Sequence, residues 1–226
     1  RASLRVLARN GCEIHIPEHQ RCCGALHVHG GERETARELA RRNIDAFESA
    51  DYDAIIINSA GCGSTLKEYP ELLDGDPIYG PKAEAFAARV KDFSEFLAEI
   101  GLSAELAPVP GRIAYQDACH LVHGQGISRQ PRDLITAIPD VELVDIEHPT
   151  VCCGSAGLYA STDTELSLQI LDEKLDAIQA SGAEIIVSGN PGCLIQLRYG
   201  ARRRGLNLRV IHLAELLDEA HAAAGV

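Results

Sequence analysis

The stretch AEIIVSGNPGC (Ala183–Cys193) passes from a short apolar run into a turn of glycine, asparagine and proline that ends on a cysteine. A short apolar run bounded by turn residues predicts a buried β-strand, and the turn predicts the start of a new element. The earlier stretch DAIIINSAGC (Asp53–Cys62) has the same features in the same order. The chain is therefore predicted to contain two copies of one strand–turn unit, each with a cysteine at its turn.

The repetition extends beyond these two stretches. A Cys-Cys-Gly triplet precedes each of them, at Cys22–Gly24 and again at Cys152–Gly154. The second cysteine of the pair is separated from the later cysteine by 38 residues in the first copy and by 39 in the second. RVKDFSEFL (Arg89–Leu97) is echoed by RVIHLAELL (Arg209–Leu217). Features that recur in the same order indicate an internal duplication.

Short apolar runs along the chain predict buried strands. Strands that alternate with helical segments are typical of parallel sheets covered on both faces. The predicted fold class is therefore α/β, with two pseudo-repeated lobes that are each a small parallel sheet flanked by helices. The predicted strands are Cys12–Ile16, Ala54–Asn58, Arg112–Tyr115, Val141–Ile146, Glu184–Ser188 and Leu208–His212.

Two longer segments carry apolar residues at the spacing of one helix face. Gly182 follows the second segment and is expected to end its helix, because glycine adopts the left-handed conformation readily. The apolar positions are Ala36, Leu39, Ala40, Ile44 and Phe47 in the first helix, and Leu168, Leu171, Leu175 and Ile178 in the second.

The segment GLSAELAPVPGR (Gly101–Arg112) lies between the two copies and contains two prolines and two glycines. Such a composition predicts a linker. We therefore divide the chain into a first lobe, residues 1–107, which we expect to be truncated at its N-terminus, and a second lobe, residues 108–226.

Composition excludes several classes of function. The net charge of the 226-residue chain is −12, which disfavours nucleic-acid binding, since that depends on neutralising phosphates. The sequence has no apolar run of about 18 residues that would predict a membrane-spanning helix. Eight cysteines in a chain of this size, without a visible secretory signal, indicate metal binding or redox chemistry in the cytoplasm.

The motif cysteines follow predicted strands, and in open α/β sheets functional groups collect at the carboxyl ends of strands. Four cysteines of the second lobe are therefore expected to converge: Cys119, Cys152, Cys153 and Cys193. The first lobe has three counterparts, Cys22, Cys23 and Cys62. The position equivalent to Cys119 would fall before Arg1, so we expect the sequence to begin inside the first repeat. Cys12 is expected to be a small buried apolar residue.

Glycines beside these cysteines allow the backbone to approach a bulky inorganic group and to direct amide N–H groups at sulfur. Four thiolates suit either an iron–sulfur cluster or tetrahedral zinc. Adjacent cysteines diverge, which favours an iron–sulfur cluster, with 4Fe-4S as the expected type. Zinc and a metal-free thiol or disulfide site stay open as alternatives.

Longer segments carry a resemblance to a known family. The repeated cysteine pattern resembles the cysteine-rich CCG domain of heterodisulfide reductase B subunits and of several dehydrogenase iron–sulfur subunits. In its residues the chain is most similar to the glycolate oxidase (glycolate dehydrogenase) iron–sulfur subunit. The similarity extends over nearly the whole chain, and the segments that carry it are CCGALHVHGGERETARELARRNIDAFE, NSAGCGSTLKEY, YQDACHLVHGQG, CCGSAGLY and GNPGCLIQLRYG.

This resemblance implies an electron-transfer subunit of an oxidoreductase that acts on CH–OH groups, with a fragment that is not catalytic alone. It implies flavin-containing partner subunits that oxidise glycolate, an upstream ferredoxin-like domain and a membrane acceptor, hence a peripheral position on the inner face of the cell membrane. It also implies that the cysteines of both lobes are metal ligands. Lactate-utilisation-type and heterodisulfide-reductase-like subunits, and a structural zinc or thiol module, are the alternatives.

The sequence departs from the heterodisulfide reductase pattern at two positions. Those subunits end each motif in Cys-x-x-Cys, whereas Ser59 and Asn190 stand at the first of these positions here. We therefore expect sites with four rather than five cysteines, and no disulfide-reducing activity. The neighbouring histidines His27, His29 and His120 are expected to be hydrogen-bonded loop residues rather than ligands.

Overall fold

A computed structural model describes residues 1–48 and 51–225. Its helices and strands alternate along the chain, as the apolar pattern predicts. The helices are α1 (Ala2–Arg9), α2 (Ala25–His29), α3 (Arg33–Phe47), α4 (Ala60–Lys67), α5 (Tyr69–Leu72), α6 (Tyr79–Ala87), α7 (Phe93–Ile100), α8 (Cys119–Gln125), α9 (Gln130–Thr136), α10 (Tyr159–Thr162), α11 (Thr164–Ser181), α12 (Pro191–Arg203) and α13 (Leu213–Ala223). The strands are β1 (Ile55–Ile57), β2 (Val90–Asp92), β3 (Arg112–Tyr115), β4 (Glu142–Leu143), β5 (Ile185–Ser188) and β6 (Arg209–His212).

Both sheets are parallel, which confirms the predicted α/β class. The second-lobe sheet has the order β4-β3-β5-β6, and the first-lobe sheet pairs β1 with β2. In register, Ile113 pairs with Ile185 and Ile55 pairs with Val90. All four residues of β5 are buried, as expected for a strand covered on both faces.

The predicted strand Cys12–Ile16 is wrong, since this segment has no regular secondary structure. Its second-lobe counterpart, β4, pairs only with β3, which lies between β4 and β5. Among the described residues the first-lobe sheet contains only β1 and β2, so no strand lies between this segment and β1. An extended segment without a partner cannot satisfy its backbone hydrogen bonds as a strand. A cavity of about 930 Å³ instead separates this segment from β1, lined by residues that include Cys12, Ile14, Ile16, Ile55 and Ile57.

Two further strand predictions need correction. The run Val141–Ile146 forms only the two-residue strand β4. Strand β2 was not predicted from its own sequence, although the Arg89–Leu97 echo contains it. Both echoed segments form a strand that ends in a capping box at a helix start, with Asp92 and Glu95 in one and His212 and Glu215 in the other. The echo therefore encodes a strand–cap–helix unit.

Both predicted helices form, and most of their predicted apolar positions are buried, whereas Leu39, Phe47 and Leu168 are only half-buried. In α3 the residues Ala36, Ala40 and Ile44 are buried, and in α11 Leu171, Leu175 and Ile178 are buried. Gly182 ends α11 in the left-handed conformation, with φ of 67°. Each helix thus turns its predicted apolar face toward a core.

The two lobes share one of their hydrophobic cores. Helix α1 packs on α13, and α7 packs on α9, so each lobe contributes a helix to the other. Val6 and Leu97 of the first lobe belong to the same buried cluster as Leu134 and Leu217 of the second. The lobes are therefore one packed body, and the division at residue 107/108 stays a prediction about the repeat.

Candidate metal centre

The two Cys-Cys-Gly loops have the same backbone. Gly24 has φ of 86° and Gly154 has φ of 87°, a region that residues with a Cβ rarely adopt. A Cβ added at Gly154 would lie 2.3 Å from the carbonyl oxygen of Ser167, whereas one at Gly24 would lie 3.4 Å from Ala36. The triplet thus needs glycine in both lobes, and more strictly in the second.

The structure brings the four predicted cysteines of the second lobe together. Cys119 begins α8, directly after β3, and Cys193 lies in the first turn of α12, directly after β5. The pair Cys152–Cys153 lies in the loop that follows β4. Sulfur–sulfur interactions run from Cys119 to Cys152, from Cys152 to Cys153 and from Cys153 to Cys193. Cys153 and Cys193 are buried, and the other two are half-buried.

These contacts separate the acidities of the four thiols. Hydrogen bonding with Cys119 and Cys153 lowers the pKa of Cys152 well below its usual value. Hydrogen bonding with Cys153 also lowers the pKa of Cys193. The same contacts, with burial, raise the pKa of Cys119 and of Cys153. In the free thiol state, the cluster of sulfurs therefore concentrates negative charge on Cys152 and Cys193.

Amide groups point at both of these sulfurs, as the glycine-rich loops predict. The Gly154 backbone N–H donates to Cys152 Sγ at 3.3 Å, and the Asn190 side-chain amide donates to Cys193 Sγ at 3.4 Å. Ser59 hydrogen-bonds with Cys62 at the equivalent place in the first lobe. Ser59 and Asn190, which replace the first cysteine of the Cys-x-x-Cys pattern described above, thus each hydrogen-bond with the cysteine that follows three residues later. Such donors stabilise thiolates and raise the reduction potential of a bound cluster.

The first lobe brings together only part of its set. Cys23 is buried and contacts Cys62, while Cys22 is exposed. Hydrogen bonding with Cys23 lowers the pKa of Cys62 to about 6. The same hydrogen bond raises the pKa of Cys23. Three thiols of unequal exposure make a less complete donor set than the four of the second lobe.

Sequence reasoning missed the side chains that hold these loops. In the first lobe, Asn43 of α3 donates to the Cys22 carbonyl at 3.0 Å and to Tyr69 Oη at 2.9 Å. The Tyr69 hydroxyl in turn donates to the Cys23 carbonyl at 2.9 Å. In the second lobe, Lys174 of α11 takes the equivalent place and donates to the His148 carbonyl at 2.8 Å. A lysine within the apolar stripe of a helix was the available signal.

The two cysteine turns also touch each other across the lobes. The Ala60 N–H donates to the Gly189 carbonyl at 3.1 Å, and the Gly61 N–H donates to Asn190 Oδ1 at 3.3 Å. The Gln125 side chain donates to the Ala60 carbonyl at 3.0 Å. Asn190 therefore contacts the turn that carries Cys62 and the sulfur of Cys193 at once.

Other polar side chains near the second-lobe site, and Cys12 of the first lobe, make the following contacts. His120 Nδ1 lies 3.6 Å from Cys119 Sγ, and its ring centroid lies 5.6 Å from that of His29. Burial lowers the pKa of His120, which favours its neutral form. Asp117 pairs with Arg132 at 2.6 Å. Cys12 is half-buried at the cavity wall rather than fully buried, because no strand covers that side.

The donor set of the second lobe fits a thiolate-bound iron–sulfur cluster in its chemistry: four thiols from three loops, with N–H donors at two sulfurs. Among residues 1–48 and 51–225, no three Cys, His, Asp or Glu side chains are arranged to hold a metal ion in this conformation. The sulfurs instead interact pairwise, in the order Cys119, Cys152, Cys153 and Cys193, and these four residues would hold the cluster. All eight cysteines are free thiols.

Comparison with known proteins gives one family. The chain matches the family described as CCG, cysteine-rich domain, over residues 1–67 and 113–198. It is 46% identical over 223 residues to a "Probable glycolate oxidase iron-sulfur subunit" of Bacillus subtilis, covering 97% of this chain and 50% of that protein. It therefore spans half the length of that relative.

Shorter relatives are covered almost completely. The chain is 31% identical over 219 residues to a "Lactate utilization protein A" of Exiguobacterium sp., covering 96% of this chain and 89% of the relative. A protein of the same name from Bacillus cereus is 31% identical and 91% covered. In the described residues, no helix has the length and apolarity needed to span a membrane. Together the duplicated cysteine loops, the family match and these relatives show that the chain belongs to the family of cysteine-rich CCG-domain proteins.

Proposed function

We propose that this chain is the iron–sulfur electron-transfer part of a glycolate-oxidising flavoenzyme complex. The observation that carries the proposal is the second-lobe donor set, in which Cys119, Cys152, Cys153 and Cys193 meet at the carboxyl ends of parallel strands. A cluster bound there supplies one-electron redox chemistry. We assign oxidation of the substrate itself to the flavin partner, because a flavin supplies hydride chemistry whereas a thiolate-bound cluster supplies one-electron transfer.

The protein's own groups prepare the site for an electron. The Gly154 and Asn190 N–H groups stabilise negative charge on the sulfurs that they contact. Cys153 and Cys193 are buried, so the low local polarity strengthens these interactions. Cys22, Cys23 and Cys62 of the first lobe are proposed as ligands of a second centre, which we expect this chain alone not to fill, because Cys22 is exposed and only Cys23 and Cys62 are in contact.

Glycolate is the favoured substrate of the complex because the glycolate oxidase relative is 46% identical, against 31% for the lactate utilisation proteins. We place the chain beside flavin-containing subunits and a ferredoxin-like domain of the same subunit. It would pass electrons from the flavin toward a membrane acceptor, from a cytoplasmic position at the inner face of the membrane.

Metal analysis of the anaerobically purified protein tests this proposal. We expect iron and acid-labile sulfide in equal amounts, about four of each per chain for a 4Fe-4S cluster, and an EPR signal after dithionite reduction. Zinc in place of iron, or metal-free protein that forms disulfides under mild oxidation, would contradict it and support a structural zinc or thiol module.

A lactate-utilisation complex is the second candidate, because the chain covers about nine-tenths of those relatives. Affinity purification of the chain from its native host, followed by substrate assays, separates the two. Reduction of its cluster by glycolate through the co-purified flavoprotein supports our choice, and reduction by lactate alone reverses it.

A further inference from the structure

Lys174 is a buried positive charge in the second lobe. Its side chain is 2% exposed, although lysine is rarely buried unless a partner neutralises it. Its ammonium group donates to the carbonyl oxygens of His148 and Pro149, at 2.8 and 3.5 Å. Both partners are neutral, so hydrogen bonding is satisfied while the charge is not balanced.

No carboxylate in the described part of the chain lies within ion-pair distance of Lys174. The carboxylate whose charge acts on it is that of Asp117, and both oxygens of Asp117 are already bound by Arg132, at 2.8 and 2.6 Å. A buried ammonium without a counter-ion is costly. The compensating charge must therefore come from another anion close by.

The second-lobe cysteines lie beside this lysine: Lys174 binds the loop that leads to the Cys152–Cys153 pair, and its helix neighbours Leu171 and Leu175 belong to one buried cluster with Cys153 and Cys193. Burial lowers the pKa of Lys174, and negative charge on the second-lobe cysteine site and on Asp117 acts in the opposite direction. Four thiolates around an iron–sulfur core outweigh its positive charge, and each electron added makes the centre more negative. A fixed positive charge nearby stabilises the reduced state more than the oxidised state.

The first lobe provides an internal control. Helices α3 and α11 present equivalent faces to their loops: Ala36 and Ser167 lie against the triplet glycine, and Asn43 and Lys174 bind the loop carbonyls. Asn43 is 2% exposed and neutral. The duplication thus keeps a hydrogen-bond donor at this place in both lobes and adds a charge in only one.

We propose that Lys174 is the built-in counter-ion of the second-lobe cysteine site and raises the reduction potential of the cluster that this site holds. The inference rests on the proposed electron-transfer function. Lys174 acts through its charge, at a distance, and is a positioning residue rather than a ligand. During reduction one electron enters from the reductant, and no bond to Lys174 forms or breaks.

Three substitutions separate charge from hydrogen bonding. Lys174→Met removes both, Lys174→Gln keeps an amide donor without the charge, and Lys174→Arg keeps a charged donor. The full chain is reconstituted anaerobically with iron and sulfide and titrated with dithionite while the EPR signal is followed. We expect the reduction equilibrium constant to fall at least tenfold, about 59 mV for one electron, in the Met and Gln variants. The Arg variant should stay near the wild-type potential.

A second readout does not depend on the potential. Iron release to a chelator is measured for the oxidised and for the reduced protein. Loss of the charge should accelerate release mainly from the reduced form in the Met and Gln variants, with Lys82→Met as a surface control that changes neither rate. A merely structural lysine would instead give equal acceleration in both states, and a Gln variant that behaves like wild type.

The outcomes distinguish this inference from the function on which it rests. If the wild-type chain binds its cluster but the Met and Gln variants keep the wild-type potential, the counter-ion role is wrong and the electron-transfer function stands. If the wild-type chain binds no cluster under any anaerobic condition, both are wrong.

Discussion

The two Cys-Cys-Gly loops compare closely in backbone and differ in their surroundings. Both triplet glycines adopt the same left-handed conformation, and both loops lie on the buried face of a long helix. In the first lobe the loop carbonyls bind a neutral amide and a phenol, from Asn43 and Tyr69. In the second they bind the ammonium of Lys174. The two lobes thus share the loop conformation, but only the second lobe has a charged side chain bound to the loop.

A matched pair of glycine substitutions should show how tightly each loop is held. Gly154→Ala forces a Cβ into the Ser167 carbonyl, so we expect it to lower the free energy of unfolding by about 3–5 kcal/mol. Gly24→Ala meets only ordinary contacts and should cost about 1–2 kcal/mol, the cost of the backbone conformation. Urea unfolding followed by circular dichroism measures both. Equal losses would mean that the two loops are packed alike.

The segment that leads to Cys119 in the second lobe also contains a buried ion pair, between Asp117 and Arg132. Asp117 is 2% exposed, and Arg132 binds both of its oxygens and stacks over Tyr115. Arg132→Met leaves a buried carboxylate without a partner, and we expect a loss of about 3 kcal/mol in unfolding free energy. The exposed pair of Arg129 and Asp133 is the control, since Arg129→Met should cause no measurable loss. A small loss in Arg132→Met would mean that this segment does not depend on the pair.

In the first lobe, thiol acidity reports the contact between Cys23 and Cys62. The pKa of Cys62 is lowered to about 6, chiefly by hydrogen bonding with Cys23, so its thiolate predominates above that pH. Alkylation of Cys62 in the metal-free protein should therefore reach half its maximal rate near pH 6. Cys23→Ala removes the donor, and we expect the midpoint to rise by at least one unit, about 1.4 kcal/mol.

Peptide mapping by mass spectrometry assigns the alkylated residue in that experiment. Ser59→Ala serves as the weaker comparison, because Ser59 is the smaller of the two hydrogen-bonding contributions. A midpoint near the ordinary cysteine value in the unmodified chain would show that the first-lobe thiols do not interact.

The smallest effect is expected for the neutral support of the first loop. Tyr69→Phe removes the hydroxyl that binds the Cys23 carbonyl and accepts from Asn43. We expect a loss of about 1 kcal/mol in unfolding free energy, the usual net value of such a hydrogen bond. Unfolding midpoints in urea measure it, and an unchanged midpoint would show that Asn43 alone supports the loop.

The duplication made much of this arrangement predictable. The strand–turn–cysteine pattern located β1, β5 and the turns that carry Cys62 and Cys193, because short apolar runs and glycine turns are local signals. The strand predicted at Cys12–Ile16 failed because a strand depends on its neighbour, and in the described residues no strand lies between this segment and β1. Local pattern cannot supply that information.

The supporting residues were harder to predict for a related reason. Lys174 and Asn43 matter through contacts with loops about 20 residues away in the sequence, which periodicity does not reveal. Aligning the two copies helix by helix places these two residues opposite each other. An alignment of the two copies with each other is therefore the sequence signal that points to these two residues.

We expect the two lobes to differ as metal sites, and a pair of serine substitutions, one in each lobe, tests this difference. Iron and acid-labile sulfide per chain are measured in the anaerobically reconstituted protein, in Cys153→Ser and in Cys23→Ser. We predict that Cys153→Ser abolishes the EPR signal and most of the iron, whereas Cys23→Ser keeps both near the wild-type level. Equal iron loss in the two variants, or a full cluster in Cys153→Ser, would contradict the claim.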